Sequence, residues 1–215
     1  MKRSEAMLGL AAVSAFAVTL AVFWPALGFP FLSQDDYVLV TKNPYFRGLG
    51  WEQLRWAWTS SINRQGIYMP LTWISYSLDY ALWGLNPRGY HLSNILLHAL
   101  NAALFAAVFA RLARAAPAGF GARAARLPVA AFAAALFFSA HPLRAESVAW
   151  VTERRDVLSG AFYLGALLCY LHPGRSRRWT AGAWVLFTLS LLSKPIALMF
   201  PAVLLVLDVY PLRRL

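Results

Sequence analysis

The chain has one cysteine and few acidic residues. Cys169 lies within an apolar run, so neither an intrachain disulfide nor a thiol-based metal cluster can form. Only nine residues are acidic, against 20 lysines and arginines, and 13% of the 215 residues are charged. The sequence also lacks a glycine-rich phosphate loop, the motifs G-x-S-x-G and H-E-x-x-H, and zinc-type spacing of cysteine and histidine. These absences argue against the common soluble nucleotide-binding, hydrolase and zinc-dependent classes.

Apolar residues dominate what is present. They make up 60% of the chain, and the mean hydropathy is +0.52, whereas soluble domains are about 45–50% apolar. The net charge of +11 and the pI near 10.4 would suggest nucleic acid binding in a soluble domain. Here the arginines lie between apolar runs, where they set topology and contact anionic headgroups. We therefore expect a membrane protein whose partners include lipids and exclude nucleic acid.

Six apolar runs predict an all-α polytopic membrane protein with a single transmembrane domain, residues 1–215. The predicted spans cover about 7–27, 90–109, 127–140, 157–171, 179–192 and 196–209. The first is too long for the core of a signal peptide and is predicted to remain uncleaved. Several others have about 14–16 residues, whereas a perpendicular span needs about 20. Tilted spans or a re-entrant pair around Lys194 are therefore alternatives.

The distribution of charge predicts the orientation. With a cytoplasmic N-terminus, the inner segments hold eleven basic residues and Glu5, whereas the outer segments hold nine basic residues and seven acids. This excess of inner positive charge follows the positive-inside rule. The arginine-rich linker at 111–127 would then face the cytoplasm, and loop one, residues 28–89, would be extracytoplasmic.

Loop one contains an adjacent acidic pair, Asp35 and Asp36, within the stretch FLSQDDYVLVTKN at 31–43. Carboxylates beside a span are costly near lipid, so they indicate a proton, a cation or a polar substrate. Farther along the loop, the spacing of Trp51, Leu54 and Trp58 predicts a short interfacial helix. Residues 71–85 predict a second interfacial helix in preference to a full span.

The span at 90–109 carries a polar stripe. His91, Asn94, His98 and Asn101 recur at helical spacing and share one face. Such a face cannot look at lipid. It either makes interhelical hydrogen bonds within the bundle or forms a wall of a substrate cavity.

A second charged stretch, HPLRAESVAWVTERRD at 141–156, falls on the same predicted outer side as the acidic pair and Lys194. Pro142 can open a helix that would place Glu146, Trp150 and Glu153 on one face. The stretch is either a solvated, salt-bridged turn or part of a site. A carboxylate there could act as a base or hold a divalent cation, and arginine or lysine could neutralise a phosphate.

Four stretches, at 35–43, 70–102, 141–160 and 193–212, resemble the N-terminal membrane half of bacterial tetratricopeptide-repeat membrane proteins. Those proteins are similar to the transmembrane and tetratricopeptide repeat-containing O-mannosyltransferases of the GT-C glycosyltransferase superfamily. The resemblance implies a partial GT-C fold in a bacterial cytoplasmic membrane. It also implies a sugar donor carried on a polyprenyl phosphate.

Roles for individual residues follow from the same resemblance. Asp35 would be the base toward an acceptor hydroxyl, and Asp36 would position it or help to bind a metal. For a second set of residues the resemblance gives only a motif match, and we infer from their charge that they bind substrate or phosphate. They are His141, Glu146, Arg154, Arg155, Asp156 and the later Lys194.

The resemblance also indicates a difference between this chain and its relatives. The relatives continue with further helices and tetratricopeptide repeats, which we do not expect within these 215 residues. The predicted function is a partial or split glycosyltransferase that moves a sugar to a protein or envelope acceptor on the extracytoplasmic side. The alternative is a non-catalytic membrane anchor or assembly module for a separately encoded C-terminal half. Transport of a small molecule ranks last, because most charges lie at the ends of the predicted helices.

Overall fold

The computed structural model describes residues 2–33, 35–60, 68–116, 126–174 and 176–215. These residues form helices and contain no strand, which confirms the all-α prediction. The α-helices in chain order are α1 Lys2–Phe23, α2 Trp51–Thr59, α3 Pro70–Trp83, α4 Pro87–Ala115, α5 Leu127–Ser139, α6 Arg144–Ala149, α7 Arg154–Tyr170, α8 Arg177–Ser193 and α9 Phe200–Val209. Most of the predicted cytoplasmic linker lies outside the described residues.

Each of the six predicted spans lies within helical structure, except for the last residue of the spans at 127–140 and 157–171. Two segments are long and apolar enough to cross a membrane, Arg3–Gly28 and Pro87–Ala115. The first combines α1 with the 3-10 helix Trp24–Gly28. Leu127–Ser139 and Pro195–Val209 are apolar but shorter. Among the described residues, the protein therefore has two candidate spans, and the number six remains a prediction.

Small side chains pack α1, α4 and α5 together. Ala15 of α1 meets three alanines of α4 and two of α5 in one buried cluster: Ala102, Ala106, Ala110, Ala131 and Ala135. Alanine allows helix backbones to approach closely, which is how helices associate where lipid surrounds them. The hydroxyls of Thr19 and Ser139 also meet at 2.7 Å across this interface. We call these three helices the alanine bundle.

On another face, α4 packs against α7, which in turn packs against α8. Gly160 of α7 permits this approach, because a Cβ there would lie 3.0 Å from Nδ2 of Asn101. Farther along, the rings of Phe187 and Phe200 stack at 5.1 Å between α8 and α9. The long helix α4 thus packs against α1 and α5 on one side and against α7 on another.

Loop one folds over one end of α4. It contains a π-helical turn, Tyr37–Thr41, followed by α2 and α3. Both predicted loop helices are present, although residues 61–67 lie outside the described part of the chain. An aromatic cluster forms the core of the loop and includes Phe46, Trp73, Tyr76 and Tyr90. One face of α3 is therefore buried against protein.

Candidate functional site

The predicted helix through Glu146, Trp150 and Glu153 is wrong. Helix α6 ends at Ala149, Trp150 is extended with φ −90° and ψ 118°, and a 3-10 turn, Val151–Glu153, leads into α7. The helix is interrupted because buried groups on neighbouring helices bind the carbonyls that a continuous helix would use internally. The interruption directs residues 151–156 toward loop one.

Polar side chains of α3 and α4 hold this interruption open. The Asn94 amide donates to the carbonyl oxygens of Val148 and Trp150, at 3.2 and 3.1 Å. The hydroxyl of Tyr76 donates to the Val151 carbonyl at 3.0 Å. Burial raises the pKa of Tyr76, so this hydroxyl stays protonated and remains a donor. The carbonyls exposed by the break are thus satisfied inside the protein.

Asp36 connects loop one to the second charged stretch. Its side chain is fully buried. One carboxylate oxygen accepts from the Leu32 amide at 3.0 Å, and the other accepts from the Thr152 amide at 2.9 Å. Asp35 is adjacent and half-buried. Two of the three charged places predicted to lie together are therefore joined by a hydrogen bond.

The same hydrogen bonds bear on whether Asp35 and Asp36 could hold a divalent cation, which the sequence left open. Both oxygens of Asp36 already accept backbone N–H groups. Within the described residues there is no group of three or more His, Cys, Asp or Glu placed to hold a metal ion. The described residues therefore provide no complete ligand set for a metal at this pair, and we assign no step to a cation.

Arg154, which we expected to face a phosphate, is instead buried inside the protein. Its guanidinium pairs with Asp79 at 2.6 Å, and the two side chains are only 1% and 4% exposed. It also donates to the Tyr90 carbonyl at 2.8 Å and to the Asn94 amide oxygen. Ser93 donates to the second oxygen of Asp79 at 2.6 Å. Arg154 is therefore a positioning residue at the start of α7.

Asp79 is the partner that the sequence reasoning missed. A signal was present, because this acid lies among Trp73, Tyr76 and Tyr80 on a helix with no other charged residue. A carboxylate in such surroundings needs a cationic partner. The sequence could not say which of the basic residues would supply it.

Lys194 brings the third charged place to the same corner. Its ammonium lies 3.3 Å from Glu153 and also contacts Asp156. Arg155 forms an ion pair with the other oxygen of Glu153, and Ser147 donates to Asp156 at 3.2 Å. We call Asp36, Thr152, Glu153, Arg155, Asp156 and Lys194 the polar corner.

Electrostatics in the polar corner favour ionised side chains. Burial by itself raises the pKa of Glu153, but the hydrogen bond and charge of Arg155 and the charge of Lys194 outweigh that effect. The pKa of Glu153 is therefore below its ordinary value. Glu153 is held as a carboxylate that keeps two cations in place.

The polar stripe of α4 is buried along its whole length. The rings of His91 and Phe29 meet edge to face at 6.3 Å. His98 makes a 2.9 Å hydrogen bond to the Ser139 carbonyl, and Asn101 donates to the Val157 carbonyl at 2.8 Å. His98 and Asn101 also line a groove. The stripe combines interhelical hydrogen bonding with a contribution to a cavity wall.

This groove, of about 390 Å³, lies between α4, α5, α6, α7 and α9. Its polar end is formed by His98, Arg144, Ser147 and Asp156. From His98 to Leu112 it follows α4 for about 20 Å, given a rise of 1.5 Å per residue. The lining away from the polar end is apolar and includes Phe105, Val108, Leu112, Leu164, Leu167 and Leu207. The groove suits a ligand with a polar head and a long hydrocarbon chain.

His141 and Glu146 lie outside the groove. His141 is half-exposed, and its Nδ1 accepts from the Leu143 amide at 3.3 Å. Glu146 is exposed. In contrast, Arg144, which the sequence reasoning did not select, lies at the polar end of the groove. Its position within the charged stretch at 141–156 was its only signal.

The fold and the site define a helical membrane protein in which the polar corner lies beside an amphipathic groove. Its sequence is homologous to protein O-mannosyl-transferases. Human TMTC2 is 31% identical over 173 residues, which are 78% of this chain and 19% of that protein. Tmtc3 of Drosophila melanogaster is 38% identical over 111 residues, 48% of the chain and 12% of the relative.

Mouse TMTC4 is 38% identical over 105 residues, 48% of the chain and 14% of the relative. The chain thus spans about a fifth or less of the length of these curated relatives. No family model and no solved structure matches it.

Proposed function

We propose that the chain is the membrane module of a glycosyltransferase with a partial GT-C fold. It takes a sugar from a polyprenyl phosphate and transfers it to a hydroxyl of a protein or envelope acceptor. Transfer takes place on the extracytoplasmic side of a bacterial cytoplasmic membrane, with six tilted spans and a cytoplasmic N-terminus. Support comes from the relatives, which are named protein O-mannosyl-transferases, and from the shape of the groove.

The observation that carries the proposal is the 2.9 Å hydrogen bond between Asp36 and the Thr152 amide. It joins the acidic pair to the segment that continues, through Glu153 and Lys194, to Asp156 at the polar end of the groove. A donor with its hydrocarbon chain in the groove would have its phosphate at that end. The acidic pair would then lie on the same side of the membrane as the reacting sugar.

The proposed reaction is a single displacement. The acceptor oxygen forms a bond to C1 of the sugar, while the bond from C1 to the phosphate oxygen breaks and its electron pair leaves with the phosphate. Half-buried Asp35 takes the hydroxyl proton as general base. Asp36 is fully buried and its two oxygens accept backbone N–H groups, so we assign it a positioning role. It positions Asp35, and the configuration at C1 inverts.

Sugar transfer tests this assignment. Membranes containing the chain are supplied with radiolabelled mannose on polyprenyl phosphate, and incorporation into protein and envelope fractions is measured. Loss of a general base typically costs 10²- to 10⁴-fold, so Asp35→Asn is expected to reduce transfer by at least about 100-fold. The matched control is Glu52→Gln, which removes an exposed carboxylate of loop one and leaves transfer unchanged. An active Asp35→Asn protein would rule out the base.

One observation favours the non-catalytic alternative. Three cations predicted to meet substrate, Arg154, Arg155 and Lys194, are already engaged in internal ion pairs. A membrane anchor for a separately encoded partner would need such pairs for stability alone. This alternative predicts no transfer by the unsubstituted chain under the same conditions, and that result would overturn the proposed activity.

A further inference from the structure

Arg144 differs from the other cations near the polar corner because it lies at the end of the groove. We propose that Arg144 binds the phosphate of a lipid whose hydrocarbon chain occupies the groove. The identity of that lipid as a polyprenyl phosphate rests on the proposed function. The binding chemistry, a phosphate attached to a long hydrocarbon chain, does not.

The surroundings of Arg144 fix its guanidinium in place. The Nε group donates to the Phe138 carbonyl at 3.3 Å, and the guanidinium carbon lies 4.6 Å from the centre of the Phe138 ring. Of the three guanidinium nitrogens of Arg144, Nε is the one that donates a hydrogen bond to a residue that the structure describes. A guanidinium held over an aromatic ring in this way can present its terminal nitrogens to a planar pair of phosphate oxygens.

Arg144 differs from the neighbouring cations, because each of them is paired with a carboxylate. Arg154 is paired with Asp79, Arg155 with Glu153, and Lys194 with both Glu153 and Asp156. Arg144, in contrast, forms no salt bridge with any residue that the structure describes. Its positive charge is therefore the one best placed to be neutralised by a ligand in the groove.

The neighbouring groups complete a head subsite. Ser147 lines the same end and supplies a hydroxyl, while Asp156, also at this end, is held by Lys194 and Ser147. Because Lys194 offsets the charge of Asp156, that carboxylate does not by itself repel an anion. The long apolar lining then accounts for the hydrocarbon part of the ligand.

Binding of polyprenyl monophosphate without a sugar tests the proposal. The purified full chain is placed in nanodiscs of zwitterionic lipid, and binding is measured for the unsubstituted chain and its variants. A charge-assisted hydrogen bond contributes about 1.5–3 kcal/mol, so Arg144→Gln is expected to weaken binding about 10- to 100-fold. Arg144→Lys, which keeps the charge, should lose less than Arg144→Gln.

The matched control is Arg88→Gln, which removes an exposed positive charge on the predicted outer side but outside the groove lining. It should bind as tightly as the unsubstituted chain. Equal binding by Arg144→Gln and Arg88→Gln would overturn the proposal. Equal losses in Arg144→Gln and Arg144→Lys would also overturn it, because they would indicate a structural role toward Phe138.

A second pair of variants tests the hydrocarbon site. Val203 lines the groove, whereas Val206, three residues along the same helix, is 67% exposed and does not. Val203→Phe should weaken binding of polyprenyl monophosphate, and Val206→Phe should not. Equal effects of the two substitutions would contradict a chain in the groove.

A competition experiment distinguishes a polyprenyl lipid from a membrane phospholipid as the ligand of the groove. If excess phosphatidylglycerol fails to displace polyprenyl monophosphate, the site is selective for the polyprenyl lipid. Equal displacement would overturn that selectivity and assign the site to a membrane phospholipid. Because binding needs neither sugar nor transfer, Asp35→Asn should bind normally. The proposed function and the Arg144 subsite can therefore fail independently.

Discussion

The alanine bundle and the polar corner are held together by different kinds of interaction. Helices α1, α4 and α5 meet through small side chains that carry no charge, and their contact depends on close packing. The polar corner and the adjoining Arg154–Asp79 pair instead bury charged groups, which are costly unless each is paired and hydrogen-bonded. Packing alone would be served by apolar residues there. The difference indicates that the corner is maintained for its geometry.

The largest expected effect comes from breaking the buried pair beside the corner. Asp79→Ala leaves the Arg154 guanidinium buried without its carboxylate, which typically costs about 3–5 kcal/mol. Thermal or denaturant unfolding in mixed micelles would measure the loss. The matched control is Glu5→Ala, which removes the Glu5–Arg114 pair, whose side chains are 63% and 42% exposed. That change should cost no more than about 1 kcal/mol.

A double substitution sharpens this test. Replacing both Asp79 and Arg154 with leucine removes the charges together and should recover part of the loss, since apolar residues can replace a buried ion pair. If Asp79→Ala were as mild as Glu5→Ala, the pair could not be buried as described.

An intermediate effect is expected in the alanine bundle. Ala135→Leu places a larger side chain where three helices meet, and overpacking of this kind typically costs about 1–3 kcal/mol. Ala133→Leu is the matched control, because Ala133 lies on the exposed side of the same helix. Unfolding of the two variants under the same conditions would measure the difference. Equal stabilities would contradict the close packing of α5 against α1 and α4.

The smallest expected effect is a change in pH dependence. Because the pKa of Glu153 is lowered in the folded protein, its ion pairs stabilise the fold above the ordinary glutamate pKa of about 4.3. That stabilisation is lost as the pH falls through the lower pKa of the folded state. Melting temperatures measured between about pH 3 and pH 6 should therefore fall less steeply for Glu153→Gln.

Glu146→Gln provides the comparison, because Glu146 is exposed. It should keep the slope of the unsubstituted chain. A slope for Glu153→Gln as steep as that of Glu146→Gln would mean that Glu153 is not the group whose protonation weakens the corner.

Periodicity predicted the helices well but not their partners. Apolar runs located the helical segments, and the stripe of α4 was recognised as a face that turns away from lipid. The break at Trp150 was missed because it depends on Asn94, which is distant in sequence and donates to the carbonyls of Val148 and Trp150. The groove was missed for a similar reason, since its lining comes from several helices.

For the site residues, the sequence indicated the charged stretch at 141–156 but not the separate role of each arginine within it. Arg144, Arg154 and Arg155 occur within twelve residues of one another and look alike as charges. One lies at the groove, one is buried with Asp79, and one is paired with Glu153. Only the positions of neighbouring carboxylates distinguish them.

The sequence by itself determined that this is a helical membrane protein, because the solvation of apolar side chains depends on composition and order alone. It also determined which charged stretches were worth attention, since ionised groups beside apolar runs are costly wherever the helices lie. The tertiary structure decided which carboxylate neutralises which cation and where a groove remains open. Those outcomes depend on distances of a few ångströms between residues far apart in the chain, which no local pattern records.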